Sequence, residues 1–106
     1  MVRVIITPTA IVDAESIFRY YDVYSHRAAD RFKQEIIDAV RRLKQMPEMG
    51  AKEPVLEHLN RNYRYVLVFR RYKLVYLYEN NVCSILMVWD CRQNPQLMTA
   101  GPRFEN

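Results

Sequence analysis

Near the C-terminal end of the chain an apolar run, Ile85 to Trp89, gives way at once to Asp90, Cys91, Arg92 and Gln93. A strand that ends this way is either leaving the core for solvent or presenting chemistry at the end of a sheet. An aspartate works as a proton acceptor near neutral pH only if burial or a like charge raises its pKa. Two residues from an arginine the opposite shift is expected, because the guanidinium favours the ionised carboxylate. Arg92 itself suits anion binding, since its planar fork can hold two oxygens of one phosphate or carboxylate.

Other cations cluster in the same half of the chain. Residues 1–60 hold nine Lys/Arg and nine Asp/Glu. Residues 61–106 hold Arg61, Arg64, Arg70, Arg71, Lys73, Arg92 and Arg103 against Glu79, Asp90 and Glu105, so the whole net charge of +4 belongs to the C-terminal part. That asymmetry describes either one positive face aimed at a polyanion or acidic partner, or a well-solvated surface rich in arginine. Cys83 and Cys91 lie eight apart on one strand and its exit. This spacing matches no zinc or redox motif and is too long for a disulfide along one strand, so free thiols are expected and no metal is implied.

The elements that must position these groups follow from length, caps and periodicity. One hundred and six residues, half of them hydrophobic, suit a single domain over 1–106 with one core. The opening apolar run is stopped by Thr7 and Pro8, too short for a signal peptide or membrane span, and a cytoplasmic location is expected. Residues 2–6 read as a strand. Thr7 is a good N-cap with Pro8 at the first helical position, and Ile11, Ala14, Ile17, Phe18, Tyr21 and Tyr24 recur at helical steps, predicting a helix over about 8–24. Ser25 then caps a second helix, about 26–46, with an apolar stripe of Ala28, Phe32, Ile36, Ala39, Val40 and Leu43. With almost no loop between them, the two helices must form a hairpin. Residues 51–60 read as a loop with a short turn around Val55 to Leu59. The period then changes to two, giving strands at about 62–69, 72–78 and 82–90. Short connections at Arg70-Arg71 and Glu79-Asn80-Asn81 predict antiparallel hairpins. The last strand is apolar at nearly every position, as for a strand that is central or covered on both faces. The expected architecture is α+β, in the order β-α-α-β-β-β, a small antiparallel sheet with a helical hairpin on one face.

This order, with these residues, resembles the RelE/ParE family of bacterial type II toxin–antitoxin toxins. The likeness runs over nearly the whole chain. It rests on T-P-x-A (Thr7, Pro8, Ala10), A-x-x-F (Ala29, Phe32), L-x-x-x-P-x-x-G (Leu43, Pro47, Gly50), Y-R-Y-V-L-V (Tyr63 to Val68), Y-K-L-V-Y (Tyr72 to Tyr76) and I-L-x-V-W-D-x-R-Q-x-P (Ile85 to Pro95). The resemblance implies a growth-inhibiting protein neutralised by a cognate antitoxin, encoded beside it and acidic or amphipathic.

Two mechanisms are implied on one scaffold. RelE-like members cut messenger RNA on the ribosome without a metal or other cofactor: a base deprotonates the 2′-hydroxyl, an acid protonates the leaving oxygen, and cations stabilise the phosphorane. Arg61, Arg64, Arg71, Lys73 and Arg92 are then the candidate nucleic-acid contacts, with Arg64, Arg71, Lys73 and Arg92 expected to converge at one end of the sheet. The candidate catalytic set is Arg92, Asp90, Arg64, Lys73 and His58, with Glu57 beside the last. Many nuclease-type members carry a His near the end of the last strand or a Tyr in the tail; here Asp90 stands at that position, and Gln96 to Asn106 contain no Tyr. ParE-like members are not enzymes. They bind DNA gyrase and trap its cleaved complex, and their last strand often ends in R-x-D-P, which Arg92-Gln93-Asn94-Pro95 approaches. A third reading is an inactive, antitoxin-binding homologue. Antitoxin contacts are expected on the helical hairpin at Phe18, Tyr20, Tyr21 and Tyr24. The adjacent Tyr20 and Tyr21 cannot both face the core, so one is a candidate exposed anchor.

Overall fold

The computed structural model describes residues 2–99. Strand β1 (Arg3–Ile6) leads into helix α1 (Pro8–Tyr24) and helix α2 (His26–Gln45); β2 (Ala51–Lys52) and a 3₁₀ segment (Pro54–Leu59) precede β3 (Tyr63–Val68), β4 (Tyr72–Glu79) and β5 (Val82–Asp90), and a second 3₁₀ segment covers Pro95–Thr99. The helices start where their caps require. Thr7 accepts from the Ala10 amide at 3.3 Å and Ser25 from the Ala28 amide at 3.1 Å, each satisfying an amide left over at a helix start.

The strand order is β1-β5-β4-β3-β2. The three C-terminal strands are antiparallel, as their short turns demand, but β1 runs parallel to β5. The sheet is therefore mixed rather than antiparallel. Two intervening helices carry the chain from one end of the sheet to the other, so β1 and β5 need no tight turn between them. The expected loop at 51–60 contributes β2, paired through Ala51 to Tyr65 and Lys52 to Arg64, and a 3₁₀ segment where only a short turn was expected.

Both faces of the sheet are covered. The helical hairpin buries Ala10, Phe32, Ala39 and Leu43 against Val68, Tyr72, Leu74, Tyr76, Cys83, Ile85 and Val88. On the other face the two 3₁₀ segments bring Leu56 and Met98 onto Tyr63, Val75, Met87 and Trp89. Double coverage explains why β5 is apolar at almost every position.

One irregularity in β5 sets the geometry of its end. Val75 pairs with Met87 but Tyr76 pairs with Ile85, leaving Leu86 as an extra residue. Thr7 secures this bulge, its hydroxyl donating to the Ile85 carbonyl at 2.8 Å and lying 3.3 Å from that of Leu86. Asp13 accepts from the Val88 amide at 3.1 Å. Before the bulge Cys83 and Ile85 face the helices; after it Val88 does, while Met87 and Trp89 enter the opposite core. Because side chains alternate along a strand, one inserted residue exchanges the faces beyond it. Asp90 thereby shares the helix side with Val88, paired with Tyr72 of β4. Among the described residues no helix is long and apolar enough to cross a membrane.

Candidate functional site

The end of the sheet where β3 turns into β4 and β5 finishes is aromatic beneath and cationic above. Tyr21 of α1 stacks beside Phe32 of α2, with Phe69 and Tyr72 set edge-on to them at centroid distances from 5.2 to 6.4 Å. The Tyr21 and Tyr72 hydroxyls are 3.0 Å apart, and Arg71 Nη1 donates to the Tyr21 hydroxyl at 3.2 Å. The Arg71 carbonyl accepts from the Cys91 amide at 2.9 Å, so the β3–β4 turn is tied directly to the exit of β5.

Asp90 and Arg92 engage each other. Arg92 Nη2 reaches Asp90 Oδ2 at 2.7 Å and Nε reaches Oδ1 at 3.0 Å, and the Arg92 backbone amide donates to the same carboxylate at 2.9 Å. These contacts hold the Asp90 pKa below the usual carboxylate range, the Arg92 side chain contributing most. Tyr72 shifts the other way: burial first, then the Tyr21 hydroxyl, keep its phenol protonated. The site thus offers an ionised carboxylate already bound, a Tyr72 phenol that resists ionisation, and arginines. Its arginines can bind anionic or hydrogen-bonding groups, and its strand-exit carboxylate is held ionised against Arg92.

Arg64, Arg71, Lys73 and Arg92 do not all converge. Arg71 and Arg92 lie at this end, beside Tyr72. Arg64, level with Tyr76, is turned to the other end: its Nη1 donates to the Gly50 carbonyl at 2.7 Å and the Glu48 carbonyl at 3.2 Å, and its Nε to Asn62 at 3.0 Å. Arg61 forks onto Glu79, at 2.7 and 3.1 Å, where β4 ends. That pairing lowers the Glu79 pKa and raises that of Arg61. By strand rise, about 23 Å of β4 separates Tyr72 from Glu79. Lys73 projects on the opposite face of the sheet. Its ammonium pairs at 2.8 Å with the fully buried Glu53 and sits 4.2 Å from the Tyr65 ring centre. The period of two separates Lys73 from Tyr72, and Glu53 engages it by capping the first 3₁₀ segment through the Val55 amide. His58 lies exposed on that segment, bonded to the Val55 carbonyl at 3.1 Å, with Glu57 exposed beside it. The described residues contain no cluster of His, Cys, Asp or Glu suited to a metal. Cys83 is buried and Cys91 exposed, both as free thiols.

On the helical hairpin Tyr20 is 51 % and Tyr24 is 75 % exposed, while Tyr21 turns inward to the aromatic cluster, resolving which of the adjacent tyrosines is outward. Phe18 lines an open groove of about 470 Å³ with Ala14, Phe32, Ile36 and Ile37, flanked by Glu15, Arg19 and Lys33.

Sequence patterns missed Tyr21 and Tyr72 as partners of the basic end, together with Phe69, Arg70 and Glu35. One signal was present. Phe69-Arg70-Arg71 fills a tight hairpin where Gly, Asn or Asp is expected.

Comparison with known proteins agrees with the fold. A solved structure described as the chromosomal ParDE TA system from P. aeruginosa is similar, with a TM-score of 0.66, 20 % sequence identity, and coverage of 85 % of this chain and 96 % of that one. No curated protein matches in sequence. The family model for the ParE toxin of type II toxin-antitoxin system, parDE, matches residues 4–95. The chain belongs to the ParE toxin family and is a toxin of a type II toxin–antitoxin system, with a cognate antitoxin as its partner.

Proposed function

We propose that this toxin acts in the cytoplasm by contact rather than by catalysis, as a ParE-like protein that binds DNA gyrase through the end of the sheet formed by Arg71, Arg92 and Tyr21. The observation that carries this reading is the bidentate Asp90–Arg92 pair. It engages the carboxylate at the exit of β5 and lowers its pKa, so the position often occupied by a nuclease histidine supplies no base. Lys73 and Arg64, the candidate phosphate ligands of the nuclease reading, are engaged by Glu53 and by the carbonyls of Glu48 and Gly50. Contact chemistry needs none of them. The antitoxin docks on the helical hairpin, an amphipathic helix filling the groove beside Phe18 and meeting the exposed Tyr20 and Tyr24.

The test is induction of the protein while labelled thymidine and methionine are followed in parallel. Thymidine incorporation should fall first, with methionine incorporation sustained early. An immediate fall in methionine incorporation with cut transcripts would instead identify a ribosome-dependent nuclease, and unchanged growth an inactive homologue. Arg92→Ala should abolish the thymidine effect while the far-UV spectrum and thermal midpoint stay close to wild type, because the Arg92 side chain is 58 % exposed.

A further inference from the structure

The two hairpins of the C-terminal sheet solve the same problem with different residues. Between β4 and β5 the chain turns at Asn80 and Asn81, with φ of 53° and 62°. Asparagine tolerates this left-handed region, so that turn is explained by local preference. Between β3 and β4 the turn is closed by the Arg71 amide donating to the Val68 carbonyl at 3.2 Å, and its left-handed residues are Phe69 at 53° and Arg70 at 56°. A bulky aromatic and a long side chain are poorly suited to positive φ, so this turn persists because the surroundings hold it.

Those surroundings are visible on the helices. Glu35 of α2 accepts from the Phe69 amide at 2.6 Å. The Phe69 ring packs edge-on to Tyr21 and Phe32, at 5.2 and 5.9 Å, and the Arg31 guanidinium lies 5.5 Å from its centre. Packing accounts for Phe69. It does not account for Arg70, which is exposed and makes no hydrogen bond or ion pair among the described residues. Its left-handed backbone helps close the turn, but its side chain adds no hydrogen bond or ion pair among the described residues, and an asparagine or glycine would adopt that backbone with less strain. What the conformation does is display a guanidinium beside Arg71, whose carbonyl is bonded to the Cys91 amide next to Arg92.

We propose that the β3–β4 turn is a strained display device, in which Arg70 contacts the toxin's target and Glu35 and Phe69 are positioning residues that hold the turn. The proposal rests on the basic end of the sheet being the toxic surface, whichever macromolecule it meets. The chemistry selected is an anionic surface of the target, read by three arginines, Arg70, Arg71 and Arg92, from two adjacent chain segments.

The experiment uses the full-length toxin and pairs a function readout with a stability readout. Survivors after induction measure toxicity, and circular dichroism of the purified protein gives the thermal midpoint. Arg70→Asn relaxes the backbone while removing the guanidinium, so it should leave the midpoint equal to or above wild type and raise survival at least tenfold. Glu35→Ala should raise survival in the same way, with Glu35→Gln, whose amide oxygen can still accept from the Phe69 amide, restoring toxicity. Wild-type toxicity in Arg70→Asn would overturn the proposal. A midpoint that falls in step with toxicity in Arg70→Asn would overturn it too, since the residue would then serve the fold. Survivor counts do not depend on which macromolecule is attacked, so the labelling experiment can fail on gyrase without deciding this one. If Arg92→Ala kept full toxicity, the shared premise of a toxic basic end would fail instead.

Discussion

Removing Lys73 should damage the fold rather than the toxic surface, and the size of the damage follows from what it leaves behind. Glu53 is 0 % exposed, and among the described residues its carboxylate has two partners, Lys73 Nζ at 2.8 Å and the Val55 amide at 3.0 Å. Lys73→Ala strands a buried carboxylate on one backbone amide. Breaking a buried pair from one side costs about 3–5 kcal/mol, and the lost contact with the Tyr65 ring adds about 0.5–1 kcal/mol. The Lys73 side chain is 21 % exposed, so water can replace part of its role and the lower end, about 3 kcal/mol, is expected. At about 4 °C per kcal/mol for a chain of this size, the thermal midpoint should drop by about 12 °C. The double change Lys73→Met with Glu53→Gln removes both charges while keeping similar volume, and should return to within about 1 kcal/mol of wild type. Urea denaturation followed by circular dichroism measures all three proteins. A Lys73→Ala protein as stable as wild type would refute the reasoning, as would a double variant no better than the single one. The folded double variant should also retain growth inhibition. Loss of toxicity at full stability would make Lys73 a target contact after all.

Two further outcomes follow from buried positions. Gly50→Ala places a Cβ 2.6 Å from the Tyr65 carbonyl and 2.7 Å from the Tyr76 hydroxyl, which itself accepts from the Gly50 amide at 3.0 Å, so neither neighbour can yield cheaply; a loss of about 2 kcal/mol or more is expected in the same denaturation assay. Stability should also decline in alkali: burial pushes the Cys83 thiol from 9.0 up to about 11, so its contribution is complete below pH 9 and is lost as the pH rises from 9 through 11, where the unfolded chain has ionised and the folded thiol has not. The shift corresponds to about 3 kcal/mol at most. Tyr72 and Tyr76, also raised by burial, act in the same direction at higher pH. Cys83→Ala should flatten the slope between urea midpoints measured at pH 8 and pH 10.5, and an unchanged slope would contradict the burial argument.

Much of the architecture is local and was legible. Thr7-Pro8 and Ser25 cap the helices because their hydroxyls meet amides a few residues away, and the helical and two-residue periods name the faces of α2 and the C-terminal strands. Less local features were hidden. The two-residue β2 has no pattern of its own and exists only because β3 offers an edge. The parallel pairing of β1 with β5 joins segments almost eighty residues apart, which no periodicity records.

The same division runs through the site. Residue types and net charge by themselves determined that the C-terminal half is basic, that Asp90 sits two residues from Arg92, and that the carboxylate's pKa should fall rather than rise. Chain order alone also suggested that Arg64, Arg71, Lys73 and Arg92 share one end of the sheet. Tertiary structure separated them, since strand direction sends Arg64 to the far end and alternation turns Lys73 to the far face, where Glu53 holds it. Tertiary structure likewise put Asp90 beside Tyr72, through one extra residue at Leu86 that Thr7 secures from across the chain. A bulge exchanges the faces of everything beyond it, and its position is chosen by a distant partner, so a strand's own sequence states which residues alternate but not where the alternation slips.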